Sequence, residues 1–366
     1  MSRSSFLGKK LLVSLICLFC GLLFVFWVIS NYSHLDKNVR ALNANVLDTI
    51  DQRMVSLFYE INSFPRGAAN DILFLDKLSS LTTLLNSPNT GLSYRQQAQV
   101  LRQDLLEFIR ENKAYYRIEY LDEKGQQVAS VVFDGDEYSI EDRGDVSPRS
   151  YFEQAMLLDA GEILISPIKL SSQDGVLENR GSAKHPIYIP VIYYASPLFD
   201  DAAQRKGVLV SSVYADYFLD SIRNFQREGE HVFLIDADGY YLAHPQRAKE
   251  FGSLLGTNEN FYRDYPEISS DALDDFGQRQ FETEEYIFSF RHIYPTLGNF
   301  EAYKGLEKIL GEESMQDYYW ILVTVSDTSD MHQVSADLRR EFWVSLFFFS
   351  LTTGAIVTLV LRLYRS

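Results

Sequence analysis

The spacing of apolar and polar positions changes character along the chain, and each change predicts a different element. Residues 11–30, LLVSLICLFCGLLFVFWVIS, carry no charge, and neither do residues 342–360, FWVSLFFFSLTTGAIVTLV. A helix that crosses a bilayer needs about 20 mostly apolar residues. Both segments therefore predict transmembrane helices, at 11–30 and 342–361. Between 31 and 64 there is no Pro or Gly, and Leu35, Val39, Leu42, Val46, Ile50, Met54 and Leu57 recur at steps of three and four. That spacing puts them on one helix face. A stalk helix over 31–64, about 50 Å long, is expected to end at Pro65 and Gly67. Its apolar stripe suits packing against its own domain or against the stalk of a second copy.

Beyond the stalk, helices are expected over 70–85 and 94–112, the second with Leu101, Leu105 and Phe108 on its inner side. The period then shortens. YRIEY (116–120) and 128–133 read as strands around the turn Asp122 to Gly125. The order returns at 231–235, where Asp236 to Gly239 is the turn and Tyr240 starts the next strand. Late apolar strands follow in each half, GVLVSSV (207–213) and YWILVTV (319–325), and 216–225 reads as a connecting helix. Repetition in this order predicts two α+β units, each a mostly antiparallel sheet with helices on one side. The expected division is 1–10 cytoplasmic, 65–225 a membrane-distal module, 226–335 a membrane-proximal module and 362–366 a short cytoplasmic tail.

Charge then orients the chain. Arg3, Lys9 and Lys10 precede the first apolar segment, and Arg362 and Arg365 follow the second. The positive-inside rule places both termini in the cytoplasm of a bacterial inner membrane and the bulk of the chain outside. Lys37, Arg40, Arg339 and Arg340 pull the other way. The first segment exceeds a signal-peptide core, lacks a small-residue cleavage site and is flanked by Trp27 and Tyr32, so it reads as a retained helix. Cys17 and Cys20 both lie inside it. About 310 residues between the helices can bury a core without disulfides. The formal charge of −16 argues against nucleic acid as a partner.

No hydrolase elbow, phosphate loop or zinc-protease motif is present, so no enzyme is expected and no cofactor. The six histidines show no metal-binding spacing. Asp236-Ala-Asp-Gly239 is too short for a calcium loop. About six residues follow the second apolar segment, so any output is expected on a separate chain or in a missing module. A membrane-anchored periplasmic adaptor is the alternative.

A set of local pieces carries a resemblance. They are Arg149-Ser-Tyr-Phe152, Gly161, Ser166-Pro167, PVIYYASPLFD at 190–200, and Gly207-Val-Leu209. With the stalk and the repeat, the chain over about 33–330 resembles the double Cache sensory family, dCache_1-like, found in sensor halves of histidine kinases, diguanylate cyclases and chemoreceptors. The resemblance implies two stacked PAS-like modules and a small-molecule pocket in the distal one. An amino-acid-binding version uses Arg-x-Trp-Tyr for a carboxylate. Here Arg149, Tyr151 and Phe152 stand at those places, with Tyr for Trp and Phe for Tyr. Ser212 stands where that version has an aspartate, so the counter-charge for an α-amino group is missing there. Tyr193 stands where kinase-like relatives often have arginine.

The candidate ligand contacts are thus Arg149, Tyr151, Phe152, Tyr188, Tyr193 and Ser212. Arg149 offers a donor fork to a carboxylate or another small anion, or is a solvated turn residue. Tyr151 and Phe152 suit a pocket wall or plain core packing. Tyr193 and Tyr194 face opposite ways by strand alternation, as do Ser211 and Ser212. A homodimer through the stalk and membrane helices, and a separate signalling partner, complete the expected assembly.

Overall fold

The computed structural model describes residues 3–88, 90–140, 150–173, 176–182, 184–227, 229–269, 280–295 and 319–365. By contact density the chain divides into two compact units, one of residues 1–52, 284–287 and 327–366, the other of 53–283 and 288–326.

The first unit is built on two helices. Helix α1 (Arg3–Leu75) is continuous over 73 residues, and α8 (Ser329–Arg365) over 37. Each is long and apolar enough to cross a membrane. Trp27 stacks on Phe349 at 4.2 Å, and Tyr32 meets Phe342 edge-on at 6.1 Å. Position rises along α1 as it falls along α8, so the two apolar segments run antiparallel. At the start of α8, Asp327 Oδ1 accepts from the Ser329 amide and Thr328 donates to the Glu284 carbonyl. Ile50 packs on Ile287 with Val46 and Leu47, so part of the stalk stripe is covered by the chain's own residues.

Helix α1 corrects one expectation. It does not stop at Pro65 but passes through it to Leu75. A proline inside a helix removes one hydrogen bond and costs about 3 kcal/mol. Burial on both sides outweighs that cost: Met54, Leu57, Ile61, Ala68, Ala69, Ile72 and Leu75 all enter the main core. The helix expected over 70–85 is accordingly split. A turn at Asp76 to Leu78 separates α1 from α2 (Ser79–Leu85). Helix α3 (Leu92–Glu111) follows, burying Leu101, Leu105 and Ile109.

Among the described residues the strands, nearly all of them in the second unit, form two sheets and a hairpin. The first sheet joins β1 (Tyr115–Leu121), β2 (Gln127–Phe133), β3 (Tyr138–Ile140), β4 (Leu164–Ile165), β5 (Lys169–Leu170), β8 (Pro190–Phe199) and β9 (Arg205–Tyr214). Its order is β3-β2-β1-β9-β8-β4, with β5 also on β8. Strands β6 (Ser172–Gln173) and β7 (Val176–Leu177) pair as a separate hairpin. Helix α4 (Ser150–Ala155) precedes β4, and α5 (Asp216–Asn224) leaves β9.

The second sheet joins β10 (Glu230–Asp236), β11 (Tyr241–Ala243), β12 (Gln280–Glu282), β13 (Tyr286–Ile293) and β14 (Trp320–Asp327). Its order is β11-β10-β14-β13-β12. Among the described residues between β11 and β12 are a 3-10 turn (Arg247–Lys249) and the one-turn helices α6 (Gly252–Leu255) and α7 (Phe261–Asp264). The architecture is α+β.

Every residue of β1 is buried, so both faces of the first sheet are covered at its centre. Ile118, Tyr120, Val131 and Tyr194 join the core that contains α1, α2 and α3. Leu121, Ala195, Val208 and Val210 instead pack under Tyr151, Phe152, Ala155 and Leu158, from α4 and the turn after it.

Candidate ligand-binding site

Strand pairing sorts the polar residues of the first sheet. Tyr193 on β8 pairs with Ser212 on β9, and Ser212 pairs with Arg117 on β1. One row therefore runs Tyr193, Ser212, Arg117. Two positions along, on the same face, Ala195 pairs with Val210, Val210 with Glu119 and Glu119 with Ser130. This is the face under α4. Tyr194 and Ser211 lie on the other face, against the helices, where burial holds the Tyr194 phenol far above its ordinary range.

Two charged side chains sit within this face. Arg117 is 3 % exposed and Glu119 is 1 % exposed. Burying a charge is expensive unless hydrogen bonds and opposite charges compensate it. Glu119 Oε1 accepts from the Tyr151 hydroxyl at 3.0 Å, and Oε2 from the Gln127 amide at 3.1 Å. The Tyr151 ring stacks on Tyr193 at 4.9 Å, 21° from parallel. Helix α4 therefore brings an aromatic ring over β8 and a hydroxyl onto β1 together.

Arg117 is held differently. The β1–β9 register shifts between Tyr115 and Arg117, so Tyr116 is an extra residue in the strand. A bulge of this kind re-aims a side chain. Here it brings Tyr116 beside Arg117: Nη2 donates to the Tyr116 hydroxyl at 3.3 Å, with the guanidinium 4.9 Å from the ring centroid. The Tyr116 hydroxyl donates onward to Glu178 Oε2 at 2.6 Å, and Ser171 donates to the same oxygen. Glu178 Oε1 is 3.9 Å from Arg117.

The segment carrying Glu178 is a polar arm laid against the sheet. The Arg180 amide donates to the Ile187 carbonyl, and Arg180 Nη2 donates to the Tyr214 hydroxyl at 2.6 Å. That hydroxyl donates to the Phe133 carbonyl at 2.6 Å. Burial raises the Tyr214 phenol against the opposing pull of Arg180, which keeps it a donor.

The expected contacts separate on this geometry. Tyr151, Tyr193 and Ser212 come together on one face. Phe152 is buried in the apolar cluster under α4. Tyr188 pairs with Asn179 on the arm, against the main core rather than against Tyr151. Arg149 lies outside the described residues. Sequence reading missed Arg117, Glu119 and Glu178. YRIEY alternates two charges with large apolar residues, and only the strand's central place in the sheet, buried along its whole length, sets those charges apart.

The second sheet offers a contrast. Phe233, Tyr241, His244, Phe261, Tyr265 and Phe288 meet there as rings 4.6 to 6.4 Å apart. His244 stacks on Phe233 at 5.0 Å, and desolvation, with Lys249 nearby, lowers its pKa to about 4. Beside it, Arg223 at the end of α5 makes a two-pronged bond to Glu250, at 2.7 and 2.8 Å, and reaches Asp216 at 2.6 Å and Asp220 at 2.7 Å. Although desolvation acts to lower the Arg223 pKa, these carboxylates raise it above the ordinary value.

The family model described as bacterial histidine kinase, sensor domain, matches residues 72–292, and the chain belongs to that family. It is a family of ligand-sensing domains, not of catalysts. The extracellular domain of vpHK1S-Z8, named as a histidine kinase, is 19 % identical with a TM-score of 0.62, over 82 % of this chain and 98 % of that one. A domain from Vibrio parahaemolyticus, named as a sensory box/GGDEF family protein, is 19 % identical with a TM-score of 0.61, over 81 % and 99 %. At such identity these two share the fold alone. No curated protein matches the chain. The two apolar terminal helices are consistent with a bitopic inner-membrane protein whose sensor domain is periplasmic.

Proposed function

We propose that the first sheet belongs to a membrane-distal PAS-like module that binds a small molecule, and the second sheet to a membrane-proximal module stacked below it. The observation that carries this reading is the burial of Arg117 and Glu119 on one face of a central strand, beside Ser212 and Tyr193 and under Tyr151. An apolar site with a few convergent polar groups is the usual form of a small-molecule pocket. The ligand offers a carboxylate or other small anion to Arg117 and Arg149. Tyr151 and Tyr193 supply an aromatic wall.

Binding shifts the signalling state only if the ligand prefers one conformation. The change travels through α1 and α8 to a separate signalling partner, with two copies of the chain paired along those helices.

The test is calorimetry and thermal shift of the full chain in lipid nanodiscs against a panel of small carboxylates and other metabolites. A ligand is expected to raise the melting temperature. Arg149→Ala should weaken it at least tenfold while leaving the unliganded melt unchanged. A verified ligand whose affinity is unaffected by both Arg149→Ala and Tyr193→Ala would overturn the site.

A further inference from the structure

We propose that a cleft where α1, the end of α3 and the start of α5 meet is a second ligand site, for a small organic cation with an apolar body. The cleft is about 510 Å³, and its lining includes Phe64 and Asp71 of α1, Glu111 and Lys113 at the end of α3, Tyr115 of β1 and Tyr217 of α5. This volume is in the range of small-molecule pockets. None of these six residues belongs to the face under α4.

Three features select a cation. First, Phe64 and Tyr217 stack with centroids 6.4 Å apart, 19° from parallel, and Tyr217 is 52 % exposed. This is an open aromatic wall, and aromatic faces attract cations. Second, Asp71 holds a carboxylate between helix and sheet, with Oδ2 accepting from the Tyr115 hydroxyl at 2.5 Å. Burial and Asp71 together hold the Tyr115 phenol far above its ordinary range, so it remains the donor in this bond. Third, the 20-residue helix α3 ends here, at Glu111. A helix C-terminus carries about half a negative charge. Lys113 opposes this, but it is exposed and its long stem can turn to solvent. Among the lining residues the balance is two carboxylates against one ammonium, and Arg110 in the last turn of α3 is not part of the lining.

The space is real along α1 as well. A Cβ placed on Gly67, which lines the cleft, would meet nothing within 4 Å. The position also gives the site a use. Val213 of β9 lines it, and α5 begins three residues later at Asp216. A ligand bridging Phe64 and Tyr217 therefore clamps α1 to the segment that leads from the first sheet to the second.

The test is calorimetry of the full chain in nanodiscs of neutral lipid, with phenethylammonium and tetramethylammonium as probes and phenylacetate as an anion of similar body. Saturable binding of phenethylammonium and none of phenylacetate is expected. Asp71→Asn, which keeps an acceptor for Tyr115, and Tyr217→Ala, at an exposed position, should each weaken it at least tenfold. Tyr151→Phe should leave it unchanged. The proposal is overturned if neither ammonium saturates, if phenylacetate binds as well, or if affinity survives both Asp71→Asn and Tyr217→Ala. Loss with Tyr151→Phe alone would also overturn it, by assigning the cation to the face under α4.

Discussion

The hydroxyl of Tyr151 donates to Oε1 of Glu119 at 3.0 Å, and both side chains are buried. One bond thus ties α4, which covers the polar face, to the centre of the strand beneath it. Tyr151→Phe removes one donor from a buried carboxylate, a loss of about 1–3 kcal/mol. The melting temperature should fall, and Tyr151→Phe with Glu119→Gln should recover part of it, because a neutral amide needs fewer donors. A double-mutant cycle by urea unfolding checks this. Additivity of the two changes would show that the bond contributes nothing.

Arg223 joins the end of α5 to Glu250 in the segment after β11. Breaking a buried pair by removing one partner costs about 3–5 kcal/mol, because the other charge is stranded. Arg223→Met should therefore destabilise strongly. Arg223→Met with Glu250→Met should be nearer the wild type than Arg223→Met alone. Thermal melts of the three variants decide it, and a double variant no better than the single one would contradict the argument.

His244 makes stability pH-dependent in a definite direction. Its pKa in the fold is about 4, below the ordinary 6.5. Between those values the unfolded chain takes up a proton that the folded one refuses. The contribution is thus fully present above pH 6.5 and is lost as pH falls toward 4. His244→Asn keeps an acceptor for the Gln246 amide, which bonds His244 Nδ1 at 2.8 Å. The slope of melting temperature between pH 6.5 and 4 should be shallower in this variant. An identical slope would remove His244 as the cause.

Gly207 has φ +129°, and a Cβ there would lie 1.9 Å from the Leu121 carbonyl oxygen. That atom belongs to the backbone of the neighbouring strand and cannot turn aside. Gly207→Ala should cost more than about 4 kcal/mol, the range of severe core lesions, and abolish cooperative unfolding by near-UV circular dichroism. Gly67→Ala, with open space and helical backbone, should change the melt little.

Much of the fold was legible because it depends on neighbours along the chain. Uncharged runs announce α8 and the first part of α1. The turns at Asp122 and Asp236 have the Asp-x-x-Gly spacing of tight connections. Alternation separates Tyr193 from Tyr194 without any structure, because successive side chains of a strand must point apart.

Other features depend on what lies across space. Pro65 reads as a stop because its cost is local, yet α1 continues through it because Ile61, Ala68 and Ile72 are buried by a core made elsewhere in the chain. Arg117 and Glu119 read as ordinary alternation in YRIEY. Only the β1–β9 and β8–β9 registers place Arg117 beside Ser212 and Tyr193, and only α4 sets Tyr151 on Glu119. The sequence by itself determined the two long apolar helices, the strand-turn-strand segments at Asp122 and Asp236 and, away from the bulge at Tyr116, which residues share a strand face. The tertiary structure alone decided which face is covered and which distant side chains meet there, because burial and strand register are set by segments far apart in the chain.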